Sequence, residues 1–243
     1  MLSVLALLGV AGFSLLMFYG LRLTDPVNAA LIMAFNPAQT TVLSALLNRE
    51  KIQRAQWLGI FIGLFGVIVV VSHGSLAALL GLHLSTGDLL VALSSLCWAA
   101  YCVLPKRFIK DIPSALMSSL TITLAAVVLI ALALSNAPDS ATVPAPGTLG
   151  VLLFLGIFGT ALPYFWWNRS VQILGPAKAS VFMNLVPLFA SLIGVLLGSG
   201  LSHSQLVGAA LIIGGVLING RQTPAPATTN TCRPAPATLP SGG

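Results

Sequence analysis

Uncharged apolar runs, separated by charges, prolines and glycines, divide the chain into eight stretches. They run approximately from Leu2 to Leu21, Pro26 to Leu47, Gln56 to Ser72, Thr86 to Arg107, Pro113 to Leu134, Thr148 to Gln172, Pro176 to Gly198 and Ser204 to Asn219. A helix needs roughly 20 residues to cross a hydrocarbon core, and these stretches are of that order. Hydrophobicity within them is continuous rather than alternating, which predicts helices and not barrel strands. Several open with proline, the residue best tolerated in a first helical turn. No positive charge precedes the first run and no convincing small-residue cleavage site follows it, so it reads as a retained helix rather than a secretory signal. Residues 222–243 hold too little apolar content to build a core and are predicted to form a disordered tail.

The second run, "ALIMAFNPAQTTVL", carries Pro37 in its middle, where proline deletes one helical hydrogen bond and leaves the Met33 carbonyl without its partner. Shifting the chain by 150 residues lays "DPVNAALIMAFNP" over "GPAKASVFMNLVP", so that Pro26, Ala29, Met33 and Pro37 match Pro176, Ala179, Met183 and Pro187. With one residue removed, "QWLGIFIGLFGVIVV" lies over "QLVGAALIIGGVLI", matching Gln56, Gly59 and Gly66 to Gln205, Gly208 and Gly215. The mid-helix proline therefore belongs to an internal repeat.

Basic residues orient the copies. With both termini cytoplasmic, that side carries Arg49, Lys51, Arg54, Lys106, Arg107, Lys110, Arg169, Lys178, Arg221 and Arg233, and the outer side carries Arg22, as the positive-inside rule requires. The second and seventh helices then run in opposite directions, so the copies are inverted. Inversion needs an odd number of helices per copy. The second copy has five and the first has three, so two helices preceding Met1 are expected in a complete relative of ten. The expected organisation is an incomplete first repeat over 1–73, an outer loop over 74–85, a complete second repeat over 86–221 and a cytoplasmic tail over 222–243.

Composition agrees with this reading. The chain is 57% hydrophobic and 7% charged, against about 25% charged in soluble domains. Its mean hydropathy is +0.99. The net charge of +6 lies between apolar runs and not on a clustered soluble face, which argues against a nucleic-acid partner. Cys97, Cys102 and Cys232 fit no metal or disulfide spacing. His73, His83 and His203 fall in outer loops with no ligand motif, so solvated loop residues outweigh a pH sensor or a metal site. No cofactor is implied.

The paired segments "NPAQTTVLSALLNREKIQRAQWLGIFIGLFGVIVV" and "PLFASLIGVLLGSGLSHSQLVGAALIIGGVLI", with "ALSSLCWAAYCVLPKR" opening the second copy, resemble the drug/metabolite transporter superfamily. Within it they resemble the EamA-type carriers, built from two five-helix repeats. The resemblance spans Met1 to about Arg221 and implies an all-α inner-membrane protein that exports small organic metabolites, plausibly amino acids. The family's acidic residue after the fourth helix of a repeat is Glu50 in the first copy, whereas the second copy has Gly200.

Inverted-repeat carriers bind substrate near the midplane, where Gly/Pro-interrupted helices expose backbone groups. Pro37 and Pro187 fall there, freeing the carbonyls of Met33 and Met183. Asn36, Gln39, Thr40 and Ser44 beside the first proline, and Ser180, Asn184 and Ser191 beside the second, are cavity candidates. The alternative is that the prolines kink packed helices and the small polar residues glue them together. Ser94, Trp98 and Tyr101 follow helical i, i+4, i+7 spacing, with Trp98 near mid-span, where it either walls a cavity or fills space between helices. In "PYFWWNR", Tyr164 and Trp167 are candidates, although an aromatic belt with a snorkelling arginine also explains the run. Trp166 and Trp167 point about 100° apart, so one of them at most faces inward. Gly59, Gly63 and Gly66, and Gly208, Gly214 and Gly215, read as ridges for close helix contact.

Asp25, Glu50, Asp88, Asp111 and Asp139 all fall at span ends or in loops, so no intramembrane carboxylate relay is visible. That favours facilitated, gradient-driven efflux or exchange by alternating access. Arg169 and Lys178 are placed to meet an anionic or zwitterionic substrate, or simply satisfy the positive-inside rule. A membrane enzyme would need a convergent nucleophile, acid and base, or a metal, and no such constellation appears. A further alternative is a truncated or degenerate carrier, inactive alone or active only as an assembly such as a homodimer.

Overall fold

The computed structural model describes residues 1–75, 77, 79, 83, 85–109, 112–135, 145–198 and 202–220. Lys110, Asp111, Asp139, Gly200, Arg221, Cys232, Arg233 and the tail over 222–243 lie outside the described residues.

Among those residues, seven helices are long and apolar enough to cross a membrane: α1 (Leu2–Leu21), α2 (Pro26–Asn48), α3 (Arg54–Val71), α4 (Thr86–Phe108), α5 (Ser114–Ser135), α6 (Pro146–Leu174) and α7 (Pro176–Leu196). An eighth, α8 (His203–Gly220), is shorter. Local chemistry sets several ends. Asp25 caps α2 by accepting from the Val27 N–H at 2.7 Å, with Pro26 in the first turn. Ser85 and Asp88 form a reciprocal capping box at the start of α4, with Ser85 N donating to Asp88 Oδ2 at 2.7 Å and Asp88 N to Ser85 Oγ at 3.2 Å. Gly175, at φ +84, makes the sharp junction between α6 and α7.

The two helices with matched mid-span prolines break shortly before Pro37 and Pro187, whereas α4 runs unbroken through Pro105. α2 stops being α-helical at Phe35 (φ −77, ψ −9), whose N–H reaches the Ile32 carbonyl at 3.1 Å, and resumes at Asn36. α7 tightens into a 3₁₀ turn over Phe182–Asn184 and resumes at Leu185. Wide π turns also recur, over Ala6–Gly12 in α1 and Leu155–Ala161 in α6. The 150-residue offset that matches the two prolines superimposes these turns within one residue.

The seam between α3 and α8 shows the repeat symmetry directly. A Cβ on Gly59 would lie 2.7 Å from the Gly215 carbonyl oxygen, and one on Gly215 would lie 2.6 Å from that of Gly59. Gly66 and Gly208 face each other in the same way, each 2.8 Å from the other's oxygen. The helices therefore cross antiparallel. The internal match equates Gly59 with Gly208 and Gly66 with Gly215, so exchanging equivalent residues turns one contact into the other, as a two-fold axis between inverted copies requires. Gly214 is a correction to the predicted ridge: a Cβ there meets nothing within 4 Å. Adjacent helical positions diverge by about 100°, so Gly215 alone of that pair faces the seam.

α4 is the most enclosed span, packed against α1 and α2. Large apolar side chains elsewhere point outward, among them Phe154 and Phe158 of α6 and Phe189 and Leu196 of α7. No residue over Pro146–Ala161 is buried.

Candidate functional site

A cavity of about 860 Å³ enters the bundle from the end that carries Arg49, Lys51, Lys106 and Lys178. Arg49 adopts the left-handed conformation (φ 54) that ends α2 and turns the chain back. Glu50 thereby accepts from Ser44 Oγ at 2.7 Å and pairs with Lys106 at the last turn of α4. The lining then holds four basic side chains and one acidic one, already paired. Cys102, Met117 and Asn168 form its inner wall. Lys178 lines the cavity, whereas Arg169 is exposed and does not.

Directly behind that wall lies an aromatic layer. Trp98 stands 5.1 Å from Phe13, 5.7 Å from Tyr101, 5.4 Å from Tyr164 and 5.7 Å from Trp167, centroid to centroid. Gly9, in the π turn of α1, makes room for it, because a Cβ there would lie 2.1 Å from Tyr101 Cδ2. The Gly9 carbonyl, in that turn, accepts from Tyr164 Oη at 3.2 Å. Trp167 Nε1 donates to Cys102 Sγ at 3.2 Å, and Asn168 Nδ2 donates to both Tyr101 Oη and Ser118 Oγ at 2.7 Å. Trp166 is exposed, so one of the adjacent tryptophans faces inward and the other outward.

Beyond this layer, at the opposite end, α1 and α4 come into close contact. A Cβ on Gly87 would lie 2.7 Å from the Gly20 carbonyl oxygen, which brings the end of α1 onto the start of α4. Asp88, 5% exposed, gathers donors from three segments there: Thr24 Oγ1, Asn28 Nδ2 at 3.3 Å and Ser85 N at 2.7 Å. Its position at a span end gave no sequence signal of this burial.

The remaining candidates are placed elsewhere. Asn36 is fully buried and donates to the Ser95 carbonyl at 2.9 Å and Ser95 Oγ at 3.1 Å, while Thr40 donates to its Oδ1 at 3.3 Å. Ser95 Oγ in turn donates to Gln39 Oε1 at 2.7 Å. These side chains, with buried Pro37, tie α2 to α4. Ser94 and Ser191 bond back to their own helices, at the Val91 and Pro187 carbonyls. Asn184 is buried against Gly63, with no partner for its Nδ2 among the described residues, and Pro187 is half-buried. None of Asn36, Pro37, Gln39, Thr40, Ser94, Trp98, Tyr101, Tyr164, Trp167, Asn184, Pro187 and Ser191 borders the cavity itself. Trp98, Tyr101, Tyr164 and Trp167 are brought together just behind it. Asn168 and Cys102 on its wall were not predicted as site residues; the aromatic-belt reading of "PYFWWNR" had absorbed Asn168.

An EamA-like transporter family model matches residues 1–72 and 85–221. The chain belongs to that family. The transporter YyaM of Bacillus subtilis (strain 168), described as uncharacterized, is 38% identical over 215 residues, covering 88% of this chain and 70% of that protein. A probable amino-acid metabolite efflux pump of Salmonella typhimurium (strain LT2) is 27% identical over 201 residues, covering 79% of this chain and 66% of that protein. Against an archaeal relative, an uncharacterized transporter of Archaeoglobus fulgidus, the chain spans 65% of its length. A solved crystal structure overlaps with a TM-score of 0.72 at 24% identity, covering 89% of this chain and 74% of that one, which speaks for the fold. The EamA-like chain is thus a multi-pass membrane protein of a transporter family within the drug/metabolite transporter superfamily, and its helices are those of that fold.

Proposed function

We propose that this chain exports small organic metabolites, amino acids or related compounds, across an inner (plasma) membrane by alternating access between the repeats at 1–73 and 86–221. Both termini are cytoplasmic in this reading, so the basic mouth faces the cytoplasm. The observation that carries it is a cavity of about 860 Å³ that enters from the basic end and stops at the aromatic layer, with the Gly20–Gly87 contact and the Asp88 bonds beyond. That volume suits a small organic molecule. The printed name of the Salmonella relative supports the amino-acid class.

The test is counterflow. Proteoliposomes holding the purified chain are loaded with a mixture of unlabelled amino acids and supplied outside with trace radiolabelled ones. Transient accumulation above protein-free vesicles is expected for at least one compound. No accumulation of any, from protein shown to be folded and inserted, overturns the reading.

A second reading, a carrier active only as an assembly such as a homodimer, draws on the first half of α6. No residue of Pro146–Ala161 is buried, and a Cβ on Gly147, Gly150 or Gly156 would meet nothing within 4 Å. Counterflow that rises with the square of protein density in the vesicles favours the assembly, and a linear rise favours the single chain.

A further inference from the structure

Asn168 is 3% exposed, lies on the inner wall of the cavity, and sits in a hydrogen-bond network whose proton positions can be worked out. Thr121 Oγ1 donates to the Met117 carbonyl at 2.8 Å. Its lone pair is therefore free to accept from Tyr101 Oη, 3.4 Å away. Ser118 Oγ donates to the Tyr164 carbonyl at 3.3 Å. Each hydroxyl carries one hydrogen, and all three are now assigned. With the hydrogens so placed, Tyr101 Oη and Ser118 Oγ accept from the Asn168 amide nitrogen, each at 2.7 Å. Both amide hydrogens are used. What remains of the side chain is Oδ1, a pure acceptor with no partner among the described residues, on a side chain that lines the cavity.

A buried acceptor at the inner wall selects what reaches it. A carboxylate is repelled, because two sets of lone pairs would meet. An ammonium group is favoured, because hydrogen bonds to charged donors are the stronger ones, above all away from water. The mouth has the opposite preference: among its described lining residues Arg49 and Lys51 are basic, and Glu50 is already paired with Lys106. We propose that Asn168 is the positioning residue that accepts a hydrogen bond from the ammonium group of a zwitterionic substrate, which enters amine first and leaves its carboxylate at the basic mouth. Tyr101 and Ser118 hold the amide in the accepting orientation. This rests on the carrier reading and adds to it a recognition atom and a direction of entry.

The experiment measures binding to the purified full chain in detergent by the fluorescence of Trp98 and Trp167, which flank the network. Three probes share the same branched side chain: leucine, 4-methylpentanoate without the amine, and 3-methylbutylamine without the carboxylate. Leucine is expected to bind at least about tenfold more tightly than 4-methylpentanoate, the ratio that one charge-assisted hydrogen bond implies. Asn168→Leu is expected to bring that ratio close to one. Should that variant fail to fold, Asn168→Asp keeps the shape, draws the Tyr101 and Ser118 hydroxyl hydrogens onto one carboxylate oxygen and presents the other as a stronger acceptor, and it is expected to tighten 3-methylbutylamine by about tenfold. Equal binding of leucine and 4-methylpentanoate to the wild type overturns the proposal. So does a ratio unchanged by Asn168→Leu, an absence of gain in Asn168→Asp, or no binding of any probe. Counterflow of some other compound would in each of those cases leave the carrier reading standing, and its absence would remove both.

Discussion

Replacing Gly66 by alanine tests the symmetric seam, and its cost can be worked from the coordinates. The new methyl would lie 2.8 Å from the Gly208 carbonyl oxygen, 2.8 Å from Ile212 N and 2.9 Å from Ile212 Cγ1. Two of these are backbone atoms that cannot swing aside. Restoring an ordinary contact of about 3.4 Å therefore requires α3 and α8 to part by roughly 0.6 Å, and gaps of that size forfeit a quarter to a half of each dispersion well along the seam. Overpacking of this kind costs roughly 1–3 kcal/mol, offset by up to about 1 kcal/mol from replacing glycine within a helix. A net loss of about 1–2 kcal/mol is expected. Gly214→Ala is the matched control, since its methyl meets nothing within 4 Å and carries only the favourable term. Thermal unfolding in detergent, followed by circular dichroism, should place Gly66→Ala below wild type and Gly214→Ala level with it or above. Gly66 and Gly208 oppose each other, so one separation relieves both methyls and the double variant should cost less than the sum of the singles. If Gly66→Ala proves as stable as Gly214→Ala, the close antiparallel seam and the two-fold argument built on it are wrong.

Two other substitutions address the ties at α4. Asn36→Ala removes both bonds to Ser95 and strands the Thr40 hydroxyl, so a loss of about 1–3 kcal/mol is expected in the same unfolding assay; an unchanged midpoint refutes the tie. Asp88→Ala leaves Thr24, Asn28 and Ser85 N without their acceptor and should cost about 3 kcal/mol, with Asp88→Asn closer to wild type. Asp88→Ala should also speed labelling by an impermeant maleimide of a cysteine placed at Val91, just inside the Asp88 end, and equal rates in the two backgrounds would show that Asp88 does not hold that end shut.

The eight spans were legible within about three residues, because bilayer thickness imposes a length on apolar runs that charges and prolines then punctuate. The breaks in α2 and α7 were legible for a similar reason: proline has no N–H to give, wherever it sits. Partner identity was not legible. Asn36 and Asn168 are both asparagines on apolar helices, yet one ties α2 to Ser95 of α4 and the other lines the cavity. Helical periodicity gives a face, and a face does not say whether protein or solute meets it. Asp88 stood at a span end, where solvent is the default expectation, and only the fold brings Thr24 and Asn28 over it. The need for glycine at position 9 was not legible, because the ring of Tyr101 that fills the space of its Cβ lies 92 residues away in the chain.

The two ends of the bundle are held by interactions of unequal strength, and α4 connects them. At the basic end the Glu50–Lys106 pair is half in solvent, with the lysine side chain 51% exposed, and such pairs contribute about 0–1 kcal/mol. At the other end a buried carboxylate accepts from three segments beside a glycine-to-glycine helix contact, which opens only if several bonds break together. In the carrier reading the described form is the one with the basic mouth open, passage to the other form breaks the Asp88 bonds, and a substrate shifts the two forms only by its differential affinity for them. The route for it is short. Asp88, Trp98, Tyr101, Cys102 and Lys106 all lie on α4, whose 23 residues span about 35 Å, so in the carrier reading a solute that displaces the aromatic layer pushes on the helix that carries Asp88.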